Sequence, residues 1–136
     1  MKETIQLSAS RPEDVRAAAR ILREGGLVGI PTETVYGLAA NALDGAACAR
    51  IFAAKGRPAD NPLIVHISDI KQLYTLVRTV PKEAEILASL YWPGPLTMIL
   101  PKADCIPDEV CAGLDTVAVR FPSHPAAQAV IRESGL

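Results

Sequence analysis

LVGIPTETVYGLAA, residues Leu27 to Ala40, opens as a buried strand and then abandons the pattern. Leu27-Val28-Gly29-Ile30 is an apolar run of strand length. Pro31 interrupts it, and a polar cluster follows, Thr32-Glu33-Thr34. Apolar sequence resumes at Leu38. In an open α/β sheet, ligands bind beyond strand ends, where hydroxyls and backbone amides gather. The cluster is therefore either a polar ligand wall or a turn closed by local threonine hydrogen bonds.

Working outward, apolar strands alternate with helical patterns, which sets an α/β class. Thr4 to Leu7 reads as a short edge strand. Ser10 and Glu13 have the spacing of a capping box, followed by Val15, Ala18, Ala19 and Leu22 on one helical face. Gly25-Gly26 ends that helix. Asp44 is placed to cap a second helix, with Cys48, Ile51 and Phe52 inward and Lys55-Gly56 at its end.

PLIVHI, Pro62 to Ile67, is the next strand. Ser68 or Asp69 starts a helix that turns Ile70, Leu73, Tyr74 and Val77 inward. Pro81 suits the first turn of another, running to about Tyr91. Trp92-Pro93-Gly94-Pro95 is a rigid turn. Leu96–Leu100 and Thr116–Phe121 are strands, and Ser123 is expected to cap a last helix ending near Gly135. The Leu96 strand follows a turn and not a crossover, so the sheet is expected to be mixed.

The 136 residues suffice for one domain, spanning 1–136, with a sizeable core. Net charge is −1, so the chain as a whole does not attract nucleic acid. No apolar run approaches a membrane span, and no secretory leader is visible. Cys48, Cys105 and Cys111 are odd in number and form no C-x-x-C pair, which argues against a disulfide framework or zinc site and suits a reducing cytoplasm. Walker A, G-x-G-x-x-G, H-E-x-x-H and G-x-S-x-G patterns are all absent.

Three further places carry polar chemistry. In Lys55-Gly56-Arg57-Pro58-Ala59-Asp60-Asn61-Pro62, two cations and an amide share a Gly/Pro-punctuated loop. It can clamp phosphates or serve as a solvated basic loop at a helix C-terminus. His66 interrupts an apolar strand; by alternation it shares a face with Ile64, while Leu63, Val65 and Ile67 share the other. In the last strand Thr116, Ala118 and Arg120 share a face opposite Val117, Val119 and Phe121. Arginine in a buried strand needs an anion, from the protein or from a ligand.

The string GIPTETVYGLAANALDGAACARIFAAKGRPADNPLIVHI (Gly29 to Ile67) closely resembles the YrdC-like threonylcarbamoyl-AMP synthase family. WPGPLT (Trp92 to Thr97) and VAVRFPSHP (Val117 to Pro125) resemble its next landmarks, in order. The resemblance implies a twisted mixed sheet with flanking helices and an open concave pocket. It implies synthesis of threonylcarbamoyl-AMP and pyrophosphate from L-threonine, bicarbonate and ATP, with the product passed to tRNA-modifying proteins. By position Thr34, His66 and Arg120 match threonine-binding residues; Arg57, Asn61 and Thr116 match ATP-binding ones. Lys55 and Arg57 belong to a K-x-R phosphate element and are the expected catalytic cations. Mg²⁺ is expected to arrive with ATP, and no metal ligands are assigned.

Family members continue beyond the last helix into another strand and an S-A-N-x-S-G loop. The chain is therefore expected to be part of a longer protein and to supply only part of the ATP site. Two rivals remain: a non-catalytic RNA- or nucleotide-binding module, and the carbamoyl-transfer domain of hydrogenase maturation proteins. The latter would bring zinc-finger-like cysteines, which this chain lacks.

Overall fold

The computed structural model describes residues 6–8, 10–31, 36–55 and 63–135. Eleven elements are described among them. Helix α1 (Pro12–Arg23) precedes β1 (Val28–Pro31) and β2 (Tyr36–Ala39). Helix α2 (Gly45–Lys55) and strand β3 (Ile64–His66) follow. Helices α3 (Ile70–Leu76) and α4 (Lys82–Tyr91) lead to β4 (Thr97–Pro101). The short α5 (Asp108–Cys111), β5 (Thr116–Arg120) and α6 (Pro125–Ser134) complete the order.

The strands form two sheets. β1 and β2 pair antiparallel, with Ile30 opposite Gly37. The second sheet has the order β3-β5-β4: β3 runs parallel to β5, and β4 antiparallel to it. The mixed sheet expected from the sequence is therefore present. Its parallel pair is joined by a long excursion through α3, α4, β4 and α5, as parallel pairing demands.

Alternation decides which face of this sheet is core. Val65, Met98, Leu100, Val117 and Val119 point inward and are buried with Leu73, Leu76, Ala84 and Ala88 of the covering helices. Val110 and Cys111 of α5 close the same cluster. A second cluster joins Ala18 and Leu22 of α1, Ile30 of β1, and Ala127 and Val130 of α6. The apolar stripe read on α1 is thus its contact with α6 and β1.

Several local expectations are corrected. The capping box at Ser10 and Glu13 does not form: Arg11 is the N-cap, and Pro12 takes the first helical position. Glu13 instead accepts 3.1 and 3.0 Å hydrogen bonds from the Arg11 guanidinium. At α6 the cap is His124, not Ser123; its Nδ1 accepts from the Ala126 amide at 3.1 Å. In both cases proline fixes the first turn, so the residue immediately before it becomes the cap. Pro81 is itself the N-cap of α4.

Asp69 does cap α3, in a reciprocal capping box with Gln72, and Asp44 accepts from the Ala47 amide at 3.2 Å. On α3, Leu73 and Leu76 are buried, whereas Ile70 and Tyr74 are exposed. Strand β2 and helix α5 were not expected. The edge strand expected at Thr4–Leu7 falls partly outside the described residues, and Gln6 and Leu7 are irregular. No helix among the described residues is long and apolar enough to cross a membrane.

Candidate functional site

The outward face of the three-stranded sheet is built by the same alternation that builds the core. On β5 it carries Thr116, Ala118 and Arg120, each partly buried between fully buried valines. On β3 it carries Ile64 and His66, and on β4 Thr97, Ile99 and Pro101. Register turns these into rows. His66 is the direct partner of Arg120, and Arg120 is the direct partner of Thr97. Ile64, Ala118 and Ile99 form the next row, and Thr116 pairs with Pro101 beyond it.

The face therefore reads polar, apolar, then hydroxyl-bearing. Thr116 and Arg120 are four residues apart on one strand, about 13 Å at the usual rise. Ile64 and Ile99 are 42% and 66% exposed, so the middle row is an open apolar floor with the small Ala118 between them.

The tautomer of His66 follows from its neighbour. Its Nδ1 lies 3.0 Å from the Ile64 carbonyl oxygen. A carbonyl only accepts, so Nδ1 carries the proton that this bond uses, and in the neutral form of the ring Nε2 is the acceptor. His66 thus sets its Nε2 edge on the same row as the permanently charged guanidinium of Arg120, whose Nε is enclosed.

A cavity of about 430 Å³ opens at the edge of β3, towards the pair β1–β2. Leu38, Phe52, Val65, Val130 and Ile131 give it an apolar lining, and His66 reaches it. Arg120 and Thr116 stand on the sheet face outside this lining. His66 is the residue common to the cavity and the polar row.

Of the residues singled out in the sequence, the structure brings together His66 and Arg120, with Thr116 on the same face. Lys55 is the last residue of α2, so the helix ends where expected. Thr34, Arg57 and Asn61 lie outside the described residues, as do the Thr32–Thr34 cluster and the loop from 56 to 62. Among the described residues no group of three His, Cys, Asp or Glu is arranged to hold a metal ion. Sequence reasoning missed Thr97: it was read as part of a strand, and only register sets it beside Arg120.

A family model described as Telomere recombination, covering the Sua5, YciO and YrdC proteins, matches residues 20–136. The chain is 58% identical over 120 residues to a threonylcarbamoyl-AMP synthase of Pyrococcus abyssi, covering 88% of this chain and 35% of that protein. It is 55% identical over 134 residues to the Bacillus subtilis protein of that name, covering 98% of this chain and 38% of that one. The chain thus spans little more than a third of the length of these relatives. A crystal structure of P. abyssi Sua5 complexed with L-threonine superposes with a TM-score of 0.90 at 54% identity, covering 98% of this chain and 38% of that chain.

Proposed function

The chain belongs to the Sua5/YciO/YrdC family, and from that premise we propose that it supplies the amino-acid half and part of the nucleotide half of a threonylcarbamoyl-AMP synthase. The observation that carries this reading is the side-by-side placement of His66 and Arg120 on the outward sheet face. A cation fork beside an imidazole suits a zwitterionic amino acid: the fork takes the carboxylate and the imidazole a polar group at the other end.

In this reading Arg120 holds the carboxylate of L-threonine, and His66 with Thr34 holds its amino or hydroxyl end. Thr116 and Asn61 contact ATP, and Lys55 and Arg57 hold its phosphates. Bicarbonate carboxylates the threonine amine with loss of water. An oxygen of the resulting carbamate attacks the α-phosphorus of ATP; the bond to the bridging oxygen breaks, and pyrophosphate leaves. Negative charge grows on the phosphoryl oxygens and on the leaving group, where Lys55 and Arg57 act; Mg²⁺ carried in by ATP would add positive charge at the same place. No protein nucleophile takes part, so catalysis is positioning and electrostatics.

The product carries an activated acyl group and suits transfer to tRNA by separate modifying proteins. The cytoplasm is the matching compartment, and three free cysteines are at home there. The overall charge of −1 gives no support to the RNA-binding alternative.

The deciding experiment follows pyrophosphate and threonylcarbamoyl-AMP from ATP while threonine and bicarbonate are omitted in turn. Product formation requires both. Pyrophosphate release indifferent to threonine would overturn the reading.

A further inference from the structure

We propose that Thr97 is a third residue of the amino-acid site, its hydroxyl donating a hydrogen bond to the carboxylate held by Arg120. This rests on the threonine-binding reading above and adds a residue to it. The supporting geometry is independent of the cavity. Thr97 is the register partner of Arg120 and follows the outward alternation of β4, between buried Met98 and Leu96, which packs against the core.

The hydrogen-bond phase of the β4–β5 pair sharpens the placement. The Lys102 amide donates to the Asp115 carbonyl at 3.0 Å, so those two form a hydrogen-bonded pair. Antiparallel pairs alternate between hydrogen-bonded and non-hydrogen-bonded. Counting along the register makes Leu100–Val117 and Met98–Val119 hydrogen-bonded, and Thr97–Arg120 non-hydrogen-bonded. Opposing side chains are closest in that second kind of pair, with Cα atoms about 4.5 Å apart. Thr97 is therefore held against the stem of Arg120.

The preceding turn is built to hold that position. Trp92 Nε1 donates to the Leu96 carbonyl at 2.8 Å, and the Gly94 amide donates to the Phe121 carbonyl at 2.8 Å. The rings of Trp92 and Phe121 meet at 6.4 Å between centroids. These contacts tie the segment before Thr97 to the residue after Arg120. The Trp-Pro-Gly-Pro motif thus acts as a clamp that sets one hydroxyl beside one guanidinium. Valine would satisfy a buried strand at this place; threonine keeps the same shape and adds a donor on the outward face.

The chemistry is complementary. Arg120 presents N–H donors to a carboxylate that accepts at about four lone-pair positions. A hydroxyl beside the fork reaches a position that the fork leaves open. Thr97 acts here by positioning substrate and takes no part in proton transfer or bond formation.

The test is calorimetric titration of the chain with L-threonine and, separately, with ATP, comparing wild type, Thr97→Val and Thr97→Ser. Thr97→Val keeps volume and β-branching, so the strand is retained, and far-UV circular dichroism verifies this. Thr97→Val is expected to weaken threonine binding by roughly 3- to 10-fold. Thr97→Ser is expected to restore most of it, and ATP binding is expected to stay unchanged in both. Equal threonine affinity in wild type and Thr97→Val overturns the role of Thr97 and leaves the threonine reading intact. Loss in Thr97→Ser equal to that in Thr97→Val also overturns it, because a structural role and not the hydroxyl would then be responsible. No threonine binding by the wild-type chain overturns both together.

Discussion

His66 and Arg120 stand directly opposite each other across β3 and β5, one on each strand of the only parallel pair among the described residues. They are 54 positions apart in sequence, yet the register leaves no residue between them. Both point away from a core row in which Val65 faces Val119. A ligand that touches one must pass close to the other. The pairing is thus a consequence of core packing: a one-residue slip would bury His66 and Arg120 and expose the valines.

The first prediction separates the two halves of the site. Arg120→Ala is expected to weaken threonine binding by roughly 10- to 150-fold, the value of a charge-assisted, bidentate hydrogen bond. Arg120→Lys recovers only part of this, because an ammonium cannot reproduce the planar fork. Thr116→Val is expected to weaken ATP more than threonine. Titrating each variant with both ligands gives the answer. If Arg120→Ala damaged ATP binding and spared threonine, the assignment of the two halves would have to be exchanged.

Much of this face was legible in the sequence. Alternation alone put Thr116 with Arg120 and His66 with Ile64, because a period of two needs no tertiary knowledge. Which strand lies beside which is a different matter. Nothing local in PLIVHI or TVAVR states that β3 pairs with β5 or at what register, so the His66–Arg120 and Arg120–Thr97 pairs emerge only from the fold. The caps show a related limit. Ser10 and Ser123 have good capping chemistry, but each lies two residues before a proline that starts the helix one position later. Helix α5 escaped notice because four residues give no periodicity. Strand β2 did so because Tyr36-Gly37-Leu38-Ala39 is held by pairing with β1 and not by propensity.

The second prediction concerns the floor. Ala118 lies between exposed Ile64 and Ile99, in the row that separates Arg120 from Thr116. Ala118→Leu adds bulk where two ligands must approach within bonding distance. Ala118 lies on the outward face and not in the core, so folding is expected to survive. Displacing one ligand by about 1 Å is enough to cost on the order of 100-fold in rate. Threonine and ATP titrated singly should each lose less than the joint reaction does. Unchanged synthesis in Ala118→Leu would show that the ligands meet elsewhere.

The third prediction tests the clamp before β4. A Cβ on Gly94 would run into the backbone carbonyl oxygen of Tyr91, which cannot move aside as a side chain tip can. Gly94→Ala is therefore expected to cost about 1–3 kcal/mol in denaturant unfolding. The loss should be accompanied by weaker threonine binding, since the Gly94–Phe121 hydrogen bond fixes the end of β5 beside Arg120. A fully stable Gly94→Ala with unaltered binding would remove the clamp from the account.

The fourth prediction uses pH. The Cys48 thiol is only 2% exposed and turns into the core from the first turn of α2. Burial first, and then the charges of Asp44 and Glu109, push its pKa up from 9.0 to about 11. A thiol raised in the folded state holds its proton more tightly there than in the unfolded chain. Its contribution to stability is complete below pH 9, and it is lost as pH rises through 11. Burial also raises the Cys111 thiol, partly opposed by Lys102, so the two act in the same direction. Tyrosine and lysine titrate in this window as well, which makes a difference measurement necessary. Denaturant unfolding of wild type and Cys48→Ala should be compared at pH 8, 9, 10 and 11. The wild-type advantage is expected to hold between pH 8 and 9 and then to shrink steadily. Over the same range a thiol reagent should label exposed Cys105 first, with Cys48 following only as the protein opens. A wild-type advantage that stayed constant up to pH 11 would mean that Cys48 ionises as readily in the folded chain as in the unfolded one.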